Sequence, residues 1–207
     1  MKKLFAVIAV LSLAFSLVSC KDVSESKFAM KEEGIAPYQL SEEGKYILES
    51  FNMQRNSKLI SFNAPKEAIT MNINLYRLKD GKWEKSSDGG GISIGSEREP
   101  VDRIQGTLAL TVNQDDHSID YVINCGGTFS SYFSAAQTET ETSVSAFCFL
   151  EELKTIELNK EIPVLISVYD SGSSMPAFSV DRFDDPSRLE DKDLVQALTV
   201  TFTENDL

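Results

Sequence analysis

The segment RIQGTLALTVNQDDHSIDYVINC, residues Arg103 to Cys125, alternates apolar and polar side chains twice, on either side of a polar loop. Ile104, Leu108, Leu110 and Val112 share one parity, and Thr107, Ala109 and Thr111 share the other. Successive side chains of an extended strand point to opposite faces, so this spacing predicts a strand with one buried face. Asn113-Gln114-Asp115-Asp116 breaks the pattern with residues that bond their own backbone in turns. Ile119, Tyr121, Ile123 and Cys125 then resume it, with Asp120, Val122 and Asn124 opposite. The reading is a hairpin pairing about 103–113 with 117–125, and its parity assigns every side chain to the core or to the other face.

The same period extends outward from this hairpin. Ile69, Met71, Ile73 and Leu75 alternate with Thr70, Asn72 and Asn74. Asp80-Gly81 supplies a turn that accepts positive φ, and Lys82-Trp83-Glu84 begins the return strand. Ser143–Leu150 and Pro163–Tyr169 are apolar at both parities, which predicts central strands covered on two sides. Leu198, Val200 and Phe202 alternate with Thr199, Thr201 and Thr203 near the end. Helical signals are confined to Asp185-Pro186-Ser187-Arg188-Leu189-Glu190, where an N-cap acid precedes a proline. Closely spaced strands without alternating helices predict an all-β fold. The expected form is a β-sandwich, immunoglobulin-like or jelly-roll, of roughly nine antiparallel strands with at most one or two short helical turns. A closed barrel is the second choice.

The chain has 207 residues, with 32 acidic and 20 basic side chains and one histidine, for a net charge of -12. That balance disfavours nucleic acid, whose phosphates require clustered Lys and Arg, so no nucleic-acid partner is expected. A single histidine excludes any motif that needs two. No sequence feature implies a cofactor.

At the N-terminus, Lys2 and Lys3 precede an apolar stretch from Leu4 to Val18, ending Leu17-Val18-Ser19-Cys20 before the polar Lys21-Asp22. The stretch has the length of a signal-peptide core and is short for a membrane span. It resembles the lipobox of bacterial lipoproteins. That resemblance implies removal of residues 1–19, lipid (diacylglycerol, with a further acyl chain such as palmitate) on Cys20, and residence on the extracytoplasmic face of a bacterial membrane. The mature chain would carry 32 acids against 18 bases, a charge of -14, because only Lys2 and Lys3 leave with the signal. Residues 20–40 are charged and aperiodic, and are expected to form a flexible tether reaching about 25 Å. A short helix at Ser26–Glu33 is the lesser alternative for part of this stretch. Residues 41–207 would form one β-sandwich domain. The Asp80-Gly81-Lys82-Trp83 turn between strands is similar to segments of uncharacterised secreted lipoproteins of Gram-positive bacteria, a likeness that implies no activity.

Several residue groups could carry chemistry. Gly91-Ile92-Ser93-Ile94-Gly95 matches the nucleophile motif G-x-S-x-G, and His117 follows. The motif functions where a strand turns into a helix, whereas a polar loop, Ser96 to Pro100, follows here. A Ser93/His117 hydrolase is therefore the least favoured function. His117 beside Asp115, Asp116 and Asp120 reads as a solvated hairpin tip. The acidic segment Asp181–Asp193 lacks regular calcium-loop spacing, and leaves Asp184 and Asp185 as weak calcium candidates. Gly89-Gly90-Gly91 reads as a flexible loop between strands. Trp83, Phe129, Tyr132 and Phe133 could contact a ligand if they stood exposed together, as in a carbohydrate-binding module. With Cys20 lipidated, Cys125 and Cys148 could form one disulfide worth about 3.4 kcal/mol in the chain-entropy model. They could equally remain two buried thiols. The expected function is a membrane-anchored, non-enzymatic binding module for a protein or carbohydrate ligand that the sequence does not name.

Overall fold

A computed structural model describes residues 30–95, 102–133, 142–175 and 177–206. Among the described residues, ten strands form two antiparallel five-stranded sheets. The first holds β1 (Gly34–Pro37), β2 (Ser57–Asn63), β5 (Gln105–Val112), β6 (Ile119–Asn124) and β7 (Thr128–Phe133), in the order β1-β2-β5-β6-β7. The second holds β3 (Thr70–Lys79), β4 (Lys82–Ser93), β8 (Val144–Phe149), β9 (Glu161–Asp170) and β10 (Leu194–Thr203), in the order β4-β3-β10-β9-β8. The fold is an all-β sandwich.

Alternation explains the core. Ile60, Phe62, Leu108, Leu110, Tyr121 and Ile123 of the first sheet meet Met71, Ile73, Leu75, Leu198, Val200 and Phe202 of the second. The hairpin register pairs Leu110 with Tyr121, Leu108 with Ile123 and Val112 with Ile119, so the buried parity of both strands coincides. Ile104, Leu108, Leu110, Val112, Ile119, Tyr121 and Ile123 are all buried, while Asp120 and Asn124 are exposed. At the β3–β4 turn, Asp80 and Gly81 both take positive φ, 48° and 72°, as a tight hairpin requires.

Outside the second sheet lies another apolar cluster. Ile166, Val168, Val195 and Ala197 pack beneath Leu189, Met175, Phe178 and Phe183 of the long β9–β10 connection. This connection, with its 3-10 turns Val180–Phe183 and Pro186–Arg188, is a cover for the sheet. It explains why β9 is apolar at both parities. Pro163 is accommodated because the β9–β10 register shifts between Leu198 and Thr199, which pair with Leu165 and Pro163. The helical signal at 185–190 becomes the second 3-10 turn, with the Asp185 carboxylate accepting from Ser187 N.

Four expectations need correction. Val144–Phe149 is an edge strand, half-buried rather than central; its apolar outer side lies under the β9–β10 cover. Gly89–Gly91 belongs to β4, where Asn72 pairs with Gly91 and Asn74 with Asp88, so a bulge absorbs one extra residue. Gly90 takes φ 82° there, and a Cβ on Gly89 would lie 2.1 Å from the Phe133 ring, so glycine lets β4 approach β7. Residues 34–37, within the expected tether, form β1, paired to β2 and bridged through Ile35 to Lys154. Most of the Ser26–Glu33 alternative lies outside the described residues. Finally, the expected sandwich domain from residue 41 onward opens not on a strand but on α1 (Glu42–Ser50), a nine-residue helix. The helix exceeds the one or two turns expected for the whole chain.

Candidate functional site

Ser93 ends β4, paired with Thr70. Its hydroxyl accepts from Thr70 Oγ1 (3.0 Å), lies 3.1 Å from the Ile69 carbonyl, and lies 2.9 Å from Asp206 Oδ1. His117 belongs to the β5–β6 loop with φ 60°, and its ring lies 4.1 Å from that of Tyr169. Thr70 pairs with Thr203 and Tyr169 with Leu194, the two ends of β10. Ten strand residues separate those levels by about 30 Å. Ser93 and His117, the least favoured pairing, are not brought together, because the strand connections place them at opposite ends of the sandwich.

The four candidate aromatics also part. Phe133 is buried in the core, and Phe129 faces inward beside Tyr121 with ring centroids 6.1 Å apart. Trp83 lies on the outer face of the second sheet, stacked on Phe183 at 5.2 Å, with its Nε1 donating to the Phe183 carbonyl. Tyr132 is 66% exposed, on the outer face of the first sheet. The sandwich itself lies between Trp83 and Tyr132, so these residues form no common platform.

Cys125 and Cys148 are free thiols. Cys125 packs against the inner core, whereas Cys148 pairs with Ile166 and faces the outer cover, where its Sγ donates to the Phe178 carbonyl. The disulfide does not form, because strand parity places the sulfurs on different sides of the second sheet. Partial burial, the largest influence, raises the pKa of both thiols.

The acidic segment serves the cover. Asp181 pairs with Lys154 at 2.9 Å, and that hydrogen bond holds its carboxyl below the usual range. Asp185 caps the second 3-10 turn and lies 3.7 Å from Arg182. Asp193 accepts from Ser171 N, and Lys192 bridges Asp170 and Asp191. Asp184 follows the first turn as its C-cap. Among the described residues no group of three or more His, Cys, Asp or Glu is placed to hold a metal.

Two features had no counterpart in the sequence reading. On the outer face of the second sheet, one oxygen of Glu161 accepts from Tyr76 Oη (2.6 Å), Asn74 Nδ2 (3.1 Å) and Thr199 Oγ1 (3.2 Å). This network ties β3, β10 and β9 together and explains why Asn74 and Thr199 are buried at the parity expected to face out. The other feature is α1. Ser41 caps it by accepting from Gly44 N at 3.2 Å, Glu42 pairs with Lys45 at 2.6 Å, and none of its residues is buried. Tyr46 is 70% exposed, Ile47 54% and the C-cap Phe51 72%. These are three of the five large apolar side chains most exposed among the described residues. Behind the helix a groove of about 330 Å³ is lined by Tyr38, Leu40, Leu48, Leu59, Lys45 and Lys58, with Gln54 and Ser57. The signal for α1 was present in Ser41-Glu42-Glu43, a cap followed by acids in the first turn. It was obscured because the apolar residues face solvent rather than the sandwich.

Fold and surfaces together define a β-sandwich whose exposed apolar character is concentrated on one short helix. No family model matches the chain, and neither the curated proteins nor the solved structures compared with it give a match.

Proposed function

We propose that the chain is a bacterial lipoprotein whose sandwich is a non-enzymatic binding module on the extracytoplasmic face of the membrane. The observation that carries this reading is Leu17-Val18-Ser19-Cys20 after a basic start and an apolar core. No helix among the described residues is long and apolar enough to cross a membrane. Lipid on Cys20 would be the membrane attachment, since two or more acyl chains hold a protein stably on a bilayer.

The direction of β1 supports one orientation for such a module. Residues 21–33 connect Cys20 to Gly34, which pairs with Asn63 at one end of the first sheet. The chain leaves β1 at Pro37, paired with Ile60, and α1 then returns it to Ser57. The seven residues of β2 put α1 about 20 Å beyond the end where the tether arrives. Binding would occur at that far end, and the mature charge of -14 would hold the domain off anionic headgroups.

Metabolic labelling with a palmitate analogue, followed by membrane fractionation, tests the reading. Labelled protein in the membrane fraction is expected, with both label and retention lost in Cys20→Ala. Wild-type protein that is wholly soluble and carries no lipid would overturn it.

A further inference from the structure

The exposed face of α1 has a definite composition. At 100° per residue, Glu49, Glu42, Tyr46, Ser50, Glu43, Ile47 and Phe51 follow one another around the solvent side. Gly44 and Leu48, both only partly exposed, face the domain. Glu43 therefore lies between Tyr46 and Ile47, and Glu49 flanks Tyr46. Neither Glu43 nor Glu49 has an ion-pair partner among the described residues. A nine-residue helix is marginal without packing, yet this one presents its largest apolar side chains to water. The adjacent groove has apolar walls at Tyr38, Leu40, Leu48 and Leu59, with Lys58 and the Glu42-paired Lys45 beside them.

We infer that α1 and its groove form a docking surface for a protein partner that presents an aromatic anchor within a basic rim. Tyr46, Ile47 and Phe51 supply the apolar contact, and aromatic residues carry much of the energy at such interfaces. Glu43 and Glu49 select Lys or Arg on the partner. The groove takes the partner's anchor ring, with the Lys58 ammonium placed against its face.

Charge argues against two other occupants. A second copy would bring the same carboxylates face to face, between chains that each carry a net charge of -12. Anionic lipid would be repelled in the same way. This inference rests on the lipoprotein reading only for which end faces away from the membrane.

Photo-crosslinking with the full-length chain in its native cells tests it. Tyr46 and Phe51 are each replaced by p-benzoyl-phenylalanine, and the exposed Lys66, in the β2–β3 loop, serves as the control position. One discrete polypeptide adduct is expected from positions 46 and 51 and not from 66. That polypeptide, identified by mass spectrometry and purified, should bind the full-length chain in detergent. Phe51→Ser and Glu43→Lys should each weaken binding about tenfold, at an unchanged melting temperature. An adduct to a second copy or to lipid, no adduct distinct from that at 66, or affinity unmoved by both substitutions would overturn the inference. The fate of Cys20 is read separately by lipid labelling, so failure of the anchor leaves this result interpretable.

Discussion

Tyr121 and Tyr169 are both buried, yet they stand in opposite hydrogen-bonding situations. The Tyr121 hydroxyl donates to the Gly89 carbonyl across the gap between the sheets. The Tyr169 oxygen is buried with no hydrogen bond of normal geometry among the described residues. Removing a satisfied hydroxyl strands its acceptor, whereas removing an unsatisfied one relieves a desolvation cost. Tyr121→Phe should therefore lose about 1 kcal/mol, and Tyr169→Phe should be neutral or stabilising, as read by urea unfolding at pH 7. Burial, the largest influence, raises the phenol pKa of both residues above the usual range. Unfolded tyrosine loses its proton near pH 10 while the folded phenols keep theirs, so the unfolded state gains stability above that pH. Melting temperature should fall from about pH 10 upward, and Tyr169→Phe should flatten the fall. Leu110 and Thr111 give a second contrast. Leu110→Ala should cost about 2–5 kcal/mol through the cavity it opens. Thr111 stands at the opposite parity, yet its hydroxyl lies 3.1 Å from Ser57 Oγ on the next strand. Thr111→Ala should cost about 1 kcal/mol in the same assay.

Among the elements, the β3–β4 hairpin and α1 differ in how firmly they are held. The hairpin depends on a turn whose second residue has φ 72°, and a Cβ on Gly81 would lie 2.8 Å from Glu190 Oε1. Gly81→Val should destabilise by about 1–3 kcal/mol, measured by thermal unfolding, since a β-branched residue is strained there. Removing the α1 cap is a different case. Ser41→Ala should leave global stability within about 0.5 kcal/mol, because no residue of the helix is buried. The cap still matters locally, so amide exchange over 42–50 should accelerate while β2 and β5 keep their protection. Equal loss of protection in β2 would mean that the helix is integral to the sandwich.

The molecule as a whole is held by packing without a covalent staple among the described residues. Cys125 and Cys148 are free and on different sides of the second sheet, so a reductant should leave the melting temperature unchanged. A thiol assay on denatured protein should find both. A fall in melting temperature with dithiothreitol would contradict this placement. The β9–β10 cover is the other feature of this scale: Asp181–Lys154 ties it to the β8–β9 connection, and Phe183 carries the indole of Trp83. The cover turns the second sheet into a middle layer, buried on both faces over β9 and β10.

The hairpin at Arg103–Cys125, the Asp80-Gly81 turn, the double-sided burial of β9 and the turn at Pro186 were legible because each depends on residues close together in the chain. Parity is a local property, and it told which side chains share a face. It did not tell what covers each face or which strand lies at an edge. Val144–Phe149 reads like β9, yet it stands at the edge because β10 pairs with β9 and β3 and so occupies the centre of the sheet. The Ser93–His117 distance, the separation of the cysteines and the convergence of Asn74, Tyr76 and Thr199 on Glu161 depend on the same long-range register. The exposed face of α1 was hidden for a related reason: an apolar residue reads as core until its neighbours in space are known, and here they are solvent. The sequence by itself determined strand parity and turn chemistry; only the tertiary structure decided what meets what, because pairings between distant strands arise from packing the whole chain at once.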